Sequence, residues 1–182
     1  MHIRSSFSRG TVVIADCTGE TVGYLGDPLI NADSGKIEAF SVFTAQGCLL
    51  LQVRDIVSWS MHVHIREPDV LGPPSDFVRL QHLAQDDRTV LHQPILVDTT
   101  KKKLGICRDV QFDTRHFKIE WIFPRRFFRE ATPIPAVEII EVKSDAIYVR
   151  DPCRPMKNLL HQAQEEDMGS SNRLQEVSLE PS

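Results

Sequence analysis

The sequence predicts an all-β fold written twice, and three observations carry that prediction. One phrase nearly recurs: residues 62–68 read HVHIREP and residues 146–152 read AIYVRDP, 84 positions apart. Displacing the chain by 82 residues aligns 16–40 with 98–122, and seven of the 25 ungapped positions are then identical. Chance supplies about one or two, so an internal duplication is the economical account. Finally, the apolar stretches are short and bounded by turn residues every eight to twelve positions, the pattern of a small barrel or sandwich.

The elements of the first copy follow in order. VVIA precedes the turn DCTGE, TVGYLGDPLI leads to the turn NADSG, KIEAFSVF to the turn AQG, and then come CLLLQV, DIVSW and HVHI. Within IEAFSVF, Ile37, Ala39, Ser41 and Phe43 share one face and Glu38, Phe40 and Val42 the other, so both faces are partly apolar. Gly23 and its repeat mate Gly105 sit inside strand patterns, where glycine marks a bulge or sharp bend. Asp27 and Asp109, four residues on, suit a turn or a backbone hydrogen bond better than a metal. Asn31 to Gly35 (NADSG) reads as a hairpin turn, because it lacks the distal Glu of a calcium loop. The repeat offset drifts to 83 at residues 55–57 and to 84 at the recurring phrase, which small loop insertions explain.

Residues 71–88 form a linker. Pro73 and Pro74 stop the extended chain, Ser75 is a credible N-cap, and Phe77, Leu80 and Ala84 share one helical face, so a short helix is expected over 76–84. The first copy is thus assigned to residues 1–70 and the second to 89–152. Residues 153–182 are read as a flexible tail, with one amphipathic helical stretch in MKNLLHQAQEED.

Bulk properties narrow the function classes. With 182 residues and 41% hydrophobic content the chain can bury a real core, and a net charge of −4 without a strongly basic segment announces no nucleic-acid partner. No apolar run approaches the length of a membrane span, and MHIRSSFSRG has no signal-like core, so a cytoplasmic protein without membrane insertion is expected. Cys17, Cys48, Cys107 and Cys153 are scattered, with no CxxC pair.

The entry strands and turns VVIADCTGETVG and ILVDTTKKKLG, the Gly-x-x-x-Asp of GYLGD and GICRD, and the closing segments DIVSWSMHVHIREP and IPAVEIIEVKSDAIYVRDP resemble the PRC-barrel family. That family includes the cytoplasmic domain of the photosynthetic reaction centre H subunit and a bacterial ribosome maturation factor. The resemblance spans residues 10–152 and implies two small six-stranded barrels in tandem. It further implies a non-catalytic module that docks onto protein or ribonucleoprotein partners. The chain lacks the membrane helix of the first relative and the extra N-terminal domain of the second, so neither specific activity transfers with the fold.

Candidate chemistry is sparse. His62 and His64 share one strand face and could begin a zinc or copper site, and hence a metal-dependent enzyme, if His92, His116 or Asp55 converged on them. The second copy has Ala146 and Tyr148 there, and two ordinary strand histidines are the plainer alternative. Ser5, Ser6, Ser8, Ser58 and Ser60 lack a nucleophile-elbow setting, Cys17 has no neighbouring histidine in sequence, and no phosphate-cradling glycine loop occurs. No catalytic residue, cofactor or metal site is therefore assigned.

The most suggestive surface is KIEWIFPRRFFRE. Arg125, Arg126 and Arg129 alternate there with Trp121, Phe123, Phe127 and Phe128, a composition that suits a protein hot spot or RNA. Alternatively, Pro124 starts a helical turn whose phenylalanines plug the barrel. Arg125, Arg126, Phe127, Phe128 and Arg129 are the candidate partner-binding residues. Lys101, Lys102 and Lys103 occupy a solvated turn matching Gly19 to Thr21. Two barrels of about 70 residues each sit near the lower limit of independent stability. An intramolecular interface of approximate two-fold pseudosymmetry is therefore expected, with Trp59 and Val142 as its candidates. Whether a homodimer also forms is left open.

Overall fold

Two antiparallel-rich sheets, one curled into a half-barrel, make up the molecule. The structure is a computed structural model and describes residues 1–127 and 129–151. The tail, Cys153 within it, and Phe128 lie outside the described residues.

The chain opens with β1 (His2–Arg4) and one helical turn, α1 (Ser5–Ser8). β2 (Val12–Ala15), β3 (Glu20–Ile30), β4 (Ile37–Thr44), β5 (Gly47–Gln52), β6 (Ile56–Trp59) and β7 (Val63–Ile65) form the first sheet, in the order β5-β4-β3-β2-β7-β6. After α2 (Val78–Gln85) come β8 (Pro94–Val97), β9 (Lys103–Asp113), β10 (Lys118–Arg126), β11 (Arg129–Glu130), β12 (Ile134–Pro135), β13 (Ile139–Val142) and β14 (Ile147–Val149). Their sheet runs β11-β10-β9-β8-β14-β13, with β1 added against β9 and β12 against β10.

The registers of the two sheets match position by position. Pro28 faces Phe40 across β3 and β4, as Val110 faces Ile122 across β9 and β10, each pair 82 residues on. Each entry strand pairs in parallel with its closing strand, Val13 with Val63 and Ile95 with Ile147. The recurring phrase is this closing strand, one in each sheet.

Glycine explains the curl. The ladder shifts register between Val13 and Ile14 opposite Gly23, and between Ile95 and Leu96 opposite Gly105. A Cβ on Gly23 would lie 2.5 Å from the Phe43 carbonyl oxygen, and one on Gly105 would lie 2.9 Å from that of Arg125. Both bulges thus let the next strand's backbone press in where a side chain would collide.

Two cores result. Phe40, Leu25, Val42, Leu51 and Ile65 are buried in the first, and Ile95, Val110, Ile122, Ile147 and Val149 in the second. The cores are not strictly separate, because Phe112 at the end of β9 is buried in the first and Ile30 at the end of β3 packs against the second. Burying a large apolar side chain contributes about 1.5–3 kcal/mol, so each long strand stabilises the opposite half as well as its own. The halves are also joined by backbone: Ile37 N donates to Phe117 O (2.7 Å), and Ile119 N donates to Gly35 O (2.9 Å), around the bridge between Lys36 and Lys118.

Several local expectations need correcting. Ser75 does not cap the linker helix; its hydroxyl bonds to Asp76, and Pro74–Asp76 form a 3-10 turn before α2 starts from Phe77. Pro124 starts no helical turn. It lies inside β10 at a register shift, and the missing amide of proline is tolerated at such an irregularity.

Candidate functional site

The arginine and aromatic segment is a hairpin. β10 continues to Arg126, Arg126 pairs with Arg129 and Arg125 with Glu130, and Phe127 sits at the tip with φ 54°. Its ring is 87% exposed. Phe123, by contrast, is buried, with the Arg4 guanidinium 3.7 Å above its ring, so it belongs to the core and not to a surface. Trp121 lies farther down β10 and is 38% exposed. The expected stripe of interleaved side chains therefore divides: alternation sends Phe123 inward, and only the tip presents an aromatic ring beside arginines.

The histidines do not assemble. His64 Nδ1 donates to Asp16 Oδ1 (2.8 Å), whereas His62 Nδ1 is buried without a hydrogen-bond partner. His92 approaches Arg108, and His116 donates to Asp113. Among the described residues, no three His, Cys, Asp or Glu side chains come together in a way that could hold a metal ion.

The repeat aspartates act on the N-terminal segment. Asp109 accepts from the Ser5 and Ser6 hydroxyls (2.6 Å each) and from the Ser6 and Val110 amides, while Asp27 pairs with Arg9. Both hydroxyls are thus held by the same carboxylate. Burial pushes the Cys107 thiol up to about 12, which leaves it an inert core group. Asn31 Oδ1 accepts from the Asp33 and Ser34 amides, the geometry of a hairpin turn. Lys101 takes φ 54° where its repeat mate Gly19 has φ 71°, and its ammonium pairs with Asp98.

Asp113 ties the chain start to the second half. Burial pushes its carboxyl up, but hydrogen bonds from His116, the Arg115 amide and the Met1 ammonium outweigh this and hold it well below the ordinary carboxylate range.

A concave feature lies where the halves meet. Trp59 meets Phe40 (5.3 Å) and Phe112 (5.9 Å) edge-on and Phe117 (6.1 Å) at a tilt, closing one end of the seam to a cavity of about 280 Å³. At the other end, β13 and Trp121 face the turn at residues 32–35 across a groove of about 650 Å³. Val142, the repeat mate of Trp59, lines that groove. Sequence reasoning selected Val142 for the interface but missed the groove. The signal was present in the repeat alignment, as the mismatch in size between paired positions.

No protein-family model matches the chain, and no curated protein does. Among the described residues, no helix is long and apolar enough to cross a membrane.

Proposed function

We propose that this protein is a non-catalytic cytoplasmic adaptor built from tandem PRC-type barrels of six strands each, related by a pseudo-two-fold axis near Lys36 and Lys118. Matching registers, twin glycine bulges and the reciprocal hydrogen bonds at residues 35–37 and 117–119 support the barrel reading. It binds a protein partner through the tip of the β10–β11 hairpin. One observation carries that assignment: Phe127 stands 87% exposed beside Arg125, Arg126 and Arg129. An exposed ring flanked by guanidinium groups gains from burial only when a partner covers it, and aromatic and arginine side chains dominate protein hot spots.

Capture of partners from native lysate by the tagged full chain tests this, with and without ribonuclease. Partners retained after ribonuclease and lost from the combined Arg125→Ala, Arg126→Ala and Phe127→Ala variant support the adaptor. Partners released by ribonuclease indicate an RNA- or ribosome-associated factor instead. Stoichiometric metal in the purified protein, lost on His64→Ala, would favour an enzyme at His62 and His64.

A further inference from the structure

We propose that the groove between β13 and the 32–35 turn is a second site, one that receives an aromatic side chain from an extended peptide segment of a partner protein. The groove continues an interface already built into the molecule. The seam between the halves has two ends occupied by repeat-equivalent residues, and one end shows what fills such a space. There, Phe40, Trp59, Phe112 and Phe117 form an aromatic cluster with centroid separations from 5.3 to 6.3 Å. At the open end the equivalent positions hold Ile122, Val142, Ile30 and Gly35. Each of the four loses its ring, and the space grows from about 280 to about 650 Å³.

The backbone has nevertheless been kept. Gly35 has φ 66° and Phe117 has φ 49°, so the same turn geometry carries a ring at one end and none at the other. Phe117 accepts a conformation that disfavours side chains, and its packing offsets that strain; the other end spares the strain and leaves a hollow. A Cβ on Gly35 would meet nothing within 4 Å.

The walls define the guest. Trp121 offers a half-exposed ring for edge or offset stacking, and Val137 and Ile140 add exposed apolar surface at the mouth. All four residues of β13 line the groove, and β13 is a sheet edge bonded only to β14 among the described residues. An edge strand with free amides and carbonyls accepts an added strand, while an adjacent pocket selects a side chain. The charged groups of the walls are mixed in sign: Asp33 and Glu141 are paired with Arg88 and Lys143, Glu120 bonds to His2, and Lys118 adds an ammonium. The guest is therefore an extended segment with one Trp, Phe or Tyr.

Panning a displayed library of random dodecapeptides on the full-length chain tests the proposal, followed by affinity measurements with the enriched peptides. Enriched peptides are expected to share one aromatic residue, whose replacement by Ala weakens binding at least tenfold. Val142→Trp, which copies the closed end, is expected to weaken binding at least tenfold while the chain keeps a cooperative thermal transition, lowered in midpoint because Val142 is itself buried in the second core. Gly35→Phe fills the groove from the opposite wall and serves if Val142→Trp does not fold. No enrichment, peptides without a shared aromatic, or equal binding by the plugged variants would overturn the site. Two further outcomes would overturn the assigned guest: tryptophan amide binding as tightly as the peptides, or a dimer of the chain alone that Val142→Trp dissociates. The hairpin variant is expected to bind these peptides normally, so this result and that of the hairpin assignment are separable.

Discussion

The two ends of the seam between the halves share a backbone and differ in their filling. At one end Trp59 and Phe117 converge on the buried rings of Phe40 and Phe112, while at the other Val142 and Gly35 leave a groove walled by Trp121. The strand registers match at both ends, so the contrast lies in the side chains carried on one framework. The filled end gives the molecule cohesion, because it joins rings from both halves. Stability supplied at one end relieves the other of that duty, and a surface relieved of packing is free to bind.

The largest effect expected from breaking this contrast is at the closed end. Trp59→Ala removes the ring that contacts three others, and a loss of about 2–4 kcal/mol in denaturant unfolding is expected, at the low end for aromatic truncations because Trp59 is half-buried. Val142→Ala, at the equivalent place, is expected to cost clearly less. If the two cost the same, the closed end does not hold the halves together.

Next come the glycine bulges common to both sheets. Gly105→Ala sets a Cβ against the Arg125 carbonyl at φ 154° and is expected to cost about 1–3 kcal/mol. Gly23→Ala is expected to fall in the same range, since its Cβ meets the equivalent carbonyl of Phe43. A neutral effect at either position would separate the two bulges in role.

The third test concerns the strand found in only one half. Asp113 has a depressed folded pKa, so its contribution is fully present above the unfolded value of about 3.9 and is lost as pH falls through the folded value. Asp113→Asn should therefore lower the thermal midpoint at pH 7, and the gap from the unaltered protein should begin to narrow below about pH 4 and close only as pH falls through the folded value. A gap that persists in acid would mean that the amide disrupts packing and not charge. The smallest effect is expected at the hairpin: Arg125→Ala with Arg126→Ala should leave unfolding within about 0.5 kcal/mol while reducing partner capture. A collapse of folding there would assign the arginines to structure.

Alternation and turn chemistry made much of the fold legible. Phe40 and Val42 alternate with Ala39 and Ser41 between turn residues on either side, which is enough to place β4, and NADSG identified its own hairpin through the Asn31 side chain. Local spacing misled where a proline was involved, since nothing near Pro124 reveals that β9 provides a ladder for it to join. The candidate hairpin was found by composition, but composition could not separate Phe123 from Phe127. One residue faces the core and the other caps a turn, and that depends on where β10 ends.

By itself, the sequence determined the repeat, the strands of the first copy and the bends marked by glycine at 23 and 105, because periodicity and turn preference act over a few residues. Only the tertiary structure decided that Phe112 serves the first core, that β1 completes the second sheet, and that Val142 and Gly35 leave a groove where Trp59 and Phe117 close one. Those outcomes depend on contacts between residues far apart in the chain, and packing is settled by which surfaces meet.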